Sequence, residues 1–78
     1  MNGDARSRVL LDVPGLHCDG CISSAAMVLE VFPGVLSVEG DLSAKQLAVE
    51  FDLASITPAA MSAQLGGVGF EVAAVRWA

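Results

Sequence analysis

The chain reads as an α+β domain with element order βαββαβ, and three observations carry that reading. Arg8–Val13 and Gln46–Phe51 alternate apolar and polar residues at period two, as half-buried strands do. Cys21–Phe32 and the stretch after Thr57 space their apolar residues at three and four, as helices with one buried face do. Proline and glycine breaks separate these segments, so every element is short and bounded.

The first strand places Val9, Leu11 and Val13 on one face and Leu10 and Asp12 on the other. Pro14-Gly15 ends it and opens a loop. The helix over Cys21–Phe32 presents Ile22, Ala25, Ala26, Leu29 and Phe32 as one stripe before Pro33-Gly34 stops it. Val35–Asp41 is a second strand, with Gly40 as a weak point where a β-branched residue suits a strand better. Leu42–Lys45 turns the chain into Gln46–Phe51, and the two strands are expected to pair as a hairpin. Thr57-Pro58 gives an N-cap followed by proline at the first helical position. Met61, Leu65 and Val68 form the second helical stripe, ending near Gly66-Gly67. A last strand is expected over Phe70–Trp77. If Val72 points at the helices, Val75 and Trp77 fall on the open sheet face. The order is that of ferredoxin-like domains: a four-stranded antiparallel sheet with two helices on one face.

A chain of 78 residues holds one domain, expected over residues 6–77, near the lower size limit for a self-supporting core. Its apolar fraction of 54% is high enough to exclude disorder. No run approaches the ~18 to 20 apolar residues of a membrane span, so direct insertion is not expected. Residues Met1 to Arg8 are polar and lack the apolar region of a secretory signal, which makes the cytoplasm the expected compartment. Net charge is −5 with no basic cluster, and phosphate binding needs one, so nucleic acid is not an expected partner.

The chemistry concentrates in Gly15-Leu16-His17-Cys18-Asp19-Gly20-Cys21, which holds the only two cysteines. Two thiols at this spacing, entering a helix, can point at one atom. The unpaired N–H groups of a helix start favour thiolate over thiol. From the residues alone the pair suits a soft metal ion or redox chemistry. A disulfide framework is excluded, since two cysteines closing so short a loop add little.

The sequence resembles the heavy-metal-associated domain family: small metal carriers and the N-terminal modules of metal-transporting P-type ATPases. The resemblance covers about Arg8 to Val75. It rests on the cysteine loop, on Phe32-Pro33-Gly34-Val35 with Val38, and on Gly69-Phe70-Glu71. It implies that Cys18 and Cys21 are the two metal ligands and that the protein is not an enzyme. Cu(I) comes first as cargo, with Hg(II), Zn(II) and Cd(II) as alternatives. Soft thiolates agree with that order, whereas zinc generally takes four ligands and no second cysteine pair exists.

Leu16 stands where the family usually carries methionine, a packing residue beneath the loop, and the exchange nearly conserves volume. His17, the single histidine, is a third donor or a solvated side chain; it is read as a modulator and not an obligatory ligand. Asp19 is read as solvated, though it is the carboxylate that could recruit a harder ion. Phe70 occupies the family position that faces the metal loop, where a ring would shield the sulfurs or simply pack. The implied partner is a metal-transporting P-type ATPase or another metal acceptor, with a metal-bridged homodimer as a further association. The competing functions are a thiol–disulfide oxidoreductase and a structural module with incidental cysteines. Thioredoxin-like domains need a longer chain and other neighbours around the motif.

Overall fold

In the computed structural model, which describes residues 6–77, the elements follow the expected order. They are β1 (Arg6–Asp12), α1 (Asp19–Glu30), β2 (Val35–Asp41), β3 (Gln46–Asp52), α2 (Pro58–Gly67) and β4 (Ala74–Trp77). The first five residues, read above as a polar lead-in without a signal segment, lie outside the described residues, as does Ala78. The strands form one antiparallel sheet in the order β2-β3-β1-β4, a ferredoxin-like arrangement. No helix among the described residues is long and apolar enough to cross a membrane.

Alternation decides which face is covered. Val9 and Leu11 of β1 and Leu47, Val49 and Phe51 of β3 are wholly buried. They pack in one cluster with Ala25 and Leu29 of α1 and Met61 and Leu65 of α2. Both helices therefore lie on that side. Burying each large apolar side chain contributes about 1.5–3 kcal/mol, and this cluster is what holds so short a chain together. On the opposite face Asp12 ties three strands. Its carboxylate accepts from Gln46 Nε2 at 2.8 Å and pairs with Arg76 Nη2 at 3.0 Å. The Gln46 hydrogen bond, then Arg76, hold the Asp12 carboxyl below its ordinary range against partial desolvation.

The structure corrects the sequence reading at four places. Helix α1 starts at Asp19 and not Cys21, because Cys18 caps it. Val68 is not part of the buried stripe; it follows the last turn of α2 and is half exposed. Strand β4 begins at Ala74, because the residues before it are held irregularly by the end of α2 and by Ala73 N–H on the Asp12 carbonyl at 2.8 Å. That irregular stretch breaks the expected alternation. Val75 pairs with Leu11 and Trp77 with Val9, so both face the helix side, and the Trp77 ring lies 6.0 Å from that of Phe51.

Gly40 is the fourth correction. It pairs with Leu47 on the covered face, and a Cβ there would come within 2.8 Å of Ile22 Cδ1 in the first turn of α1. The missing side chain lets the helix start sit directly on β2. Gly40→Val is expected to lower stability by about 1–3 kcal/mol through overpacking, whereas Ser37→Val on the exposed side of the same strand should change it by less than about 0.5 kcal/mol. Urea unfolding of both variants measures this. A stabilised Gly40→Val protein would show that strand propensity outweighs the contact with Ile22.

Candidate metal centre

The loop between β1 and α1 is built around one buried anchor. Leu16 N–H bonds the Val13 carbonyl at 3.1 Å, and the turn so formed leaves Pro14 and Gly15 in solvent. Leu16 itself is wholly buried in the core, as expected of a packing residue under the loop. The chain then emerges at His17 and Cys18.

Cys18 has extended backbone angles, φ −159° and ψ 164°, and is the N-cap of α1. Its sulfur accepts from the Cys21 N–H at 3.3 Å, and its carbonyl accepts from the Cys21 and Ile22 N–H groups at 3.1 and 3.3 Å. The two-residue spacer thus corresponds to the interval between an N-cap and the third helical residue, where cap side chains normally bond. The helix turn that follows brings Cys21 Sγ to 3.1 Å from Cys18 Sγ, within a shared hydrogen bond. Neither sulfur is in a disulfide. Cys18 is exposed, while Cys21 is half-buried against the core.

This geometry acts on the thiols. The hydrogen bond shared with Cys21 sulfur is the main cause that holds the Cys18 thiol below its ordinary range, and the Cys21 and Gly20 N–H groups add to it. Partial desolvation and the Asp19 carboxylate oppose the shift. The balance of these contacts favours the ionised form of Cys18.

The remaining site residues lie around the pair without joining it. His17 and Asp19 are exposed. No group of three His, Cys, Asp or Glu side chains suited to one ion occurs among the described residues. Phe70 is half-buried against the same core as Cys21. A Schellman-type ending of α2 positions it: Phe70 N–H bonds Leu65 O at 2.8 Å, Gly69 N–H bonds Gly66 O at 3.2 Å, and Gly69 takes φ +96°. Sequence reasoning missed Lys45, whose ammonium donates to the Leu16 carbonyl at 2.6 Å from the β2–β3 turn. The signal present was a lysine, not glycine or asparagine, closing a tight turn.

The heavy-metal-associated domain pattern matches residues 10–71, which take in the cysteine loop, Phe32–Val35 and Gly69–Glu71. Oxidized MerP from Ralstonia metallidurans CH34 is similar with a TM-score of 0.81 and 23% identity, covering 94% of this chain and 97% of that one. A CopZ metallochaperone gives 0.81 at 27% identity, covering 85% of this chain and 98% of its own. The water-soluble region of the P-type ATPase CopA from Bacillus subtilis gives 0.80 at 24% identity, covering 86% of this chain and 44% of that region. No curated protein sequence matches significantly.

A thiol that ionises at lower pH in the folded than in the unfolded chain stabilises the fold above the unfolded value. That contribution is lost as pH falls through the folded value. The metal-free protein should therefore gain stability as pH rises toward the ordinary thiol range of ~8.5. Cys18→Ala should flatten that rise. Urea midpoints across the interval report it, and an equal rise in the variant would assign the effect elsewhere.

Proposed function

The chain belongs to the heavy-metal-associated domain family, and on that premise we propose that it carries a thiophilic metal ion, Cu(I) first, on Cys18 and Cys21 and hands it to a partner protein. The observation that supports this most is the sulfur pair: 3.1 Å apart, at a helix start, with one member exposed. Two soft ligands, with no third His, Cys, Asp or Glu donor grouped with them among the described residues, suit ions content with low coordination number. Hg(II) shares that preference and is the alternative cargo; Zn(II) and Cd(II) follow, since zinc generally requires four donors.

Transfer proceeds by ligand exchange. A partner thiolate forms a bond to the ion, giving a three-coordinate state, and the bond to Cys18 or Cys21 then breaks. The released thiolate takes up a proton or remains ionised according to pH. Cys18 is the natural point of entry because it is exposed while Cys21 is half-buried. The metal-binding domain of a P-type ATPase is the acceptor this reading favours, and a reducing cytoplasm keeps both thiols available. No step requires a catalytic pocket, so the protein acts as a carrier and not an enzyme. His17 and Phe70 flank the exchange as modulators.

One Cu(I) per monomer is expected, with binding lost in Cys18→Ser and in Cys21→Ser and with Zn(II) held far more weakly. Competition with a Cu(I)-specific chelator measures both. Zn(II) bound as tightly, and persisting after Cys21→Ser, contradicts the assignment. Catalytic turnover of a disulfide substrate would instead favour the oxidoreductase.

His17→Ala should keep one-to-one stoichiometry and change affinity by about tenfold or less, equivalent to about 1.4 kcal/mol. Loss of stoichiometry in a variant folded by circular dichroism promotes His17 to a primary ligand.

A further inference from the structure

Lys45 closes the turn between β2 and β3 in a backbone state that side chains avoid. Its φ is +54°, and among the described residues no other non-glycine residue has positive φ. Glycine or asparagine ordinarily fills such a position, because a Cβ crowds the following carbonyl. Strain retained at one residue points to what that residue does.

Both ends of Lys45 are tied to the segment that carries the cysteines. Its carbonyl accepts from Val13 N–H at 2.8 Å, and its ammonium donates to the Leu16 carbonyl at 2.6 Å. Arg8 and Arg76 face Glu39 and Asp12 as ion pairs, whereas no described carboxylate lies within 4 Å of the Lys45 ammonium. Leu16 precedes Cys18 by two residues, a span of at most ~7 Å between α-carbons. A full positive charge is thus fixed beside the sulfur-bearing loop by a hydrogen bond to neutral backbone.

We propose that Lys45 is a specificity-determining residue that favours a monovalent over a divalent thiophilic cargo. The proposal rests on the reading of Cys18 and Cys21 as the ligand pair. Two thiolates with Cu(I) leave a complex of net charge −1, whereas two thiolates with Hg(II) leave a neutral one. A nearby fixed cation attracts the first and not the second. Both ions displace protons from the same two thiols, and both use the same loop. Proton release and loop geometry therefore cancel in the ratio of the two affinities, and the charge term remains.

The test compares Cu(I) and Hg(II) affinities of the whole chain, each by competition with a small-molecule ligand, in wild type, Lys45→Met and Lys45→Arg. Lys45→Met is expected to weaken Cu(I) binding about three- to tenfold and Hg(II) binding less than about twofold. Lys45→Arg should restore the wild-type ratio, and raised salt should shrink the Cu(I) effect. Should Lys45→Met lose its fold, Lys45→Asn, which suits the left-handed turn, carries the same expectation. Parallel losses for both ions, or no loss for either, overturn the role of Lys45 while leaving the ligand pair standing. Wild-type protein that binds neither ion through its cysteines overturns both readings.

Discussion

The N–H groups that open α1 have no partners within the helix, and here a sulfur atom supplies one. Everything at the candidate metal centre depends on that constraint. Because Cys18 must cap, its backbone is extended and its side chain is drawn over the first turn. Because Cys21 occupies the third helical position, its own N–H points at the capping sulfur and its side chain lies beside it. The same Cys21 N–H bond that completes the helix start favours the Cys18 thiolate, so local folding and thiol activation are one event. Serine is a good N-cap residue, and replacing Cys18 by serine therefore separates loss of the ligand from loss of the cap.

The cap is held in place from three directions. Leu16 pins the approach to it by full burial. Gly40 lets Ile22 settle on β2, which fixes the height of the first helical turn above the sheet. From the neighbouring turn, Lys45 grips the loop at Val13 and Leu16 through backbone and side chain. The sulfurs themselves stay near solvent, so the loop is supported from beneath while the thiols remain approachable. That combination suits a carrier, whose task is to release its cargo to another protein, better than it suits an enclosed catalytic site.

The two sheet faces divide the remaining work. The covered face supplies the apolar cluster that stabilises so small a domain. The open face is organised by Asp12, which links β1 to β3 through Gln46 and to β4 through Arg76. Asp12 is also the last residue of β1, so its side-chain contacts and its carbonyl bond to Ala73 set where the cysteine loop leaves the sheet.

Element order, the cores of both helices, the Thr57 cap and the Val9–Leu11 and Leu47–Phe51 faces were determined by the sequence itself. Each is written in residues a few positions apart, where backbone periodicity and capping chemistry act. The cysteine pair was legible for the same reason. Tertiary structure alone decided the rest. Gly40 looked like a flaw in a strand until Ile22, eighteen positions earlier, was seen to lie on it. Lys45 stood in the sequence only as the end of a turn, and its role came from its ammonium meeting the Leu16 carbonyl, twenty-nine positions away. Trp77 changed faces because the irregular approach to β4 shifted the alternation by one, and only pairing with Val9 fixes which way it points. These features depend on contacts between elements, and no local pattern records the distance at which two elements will come to rest.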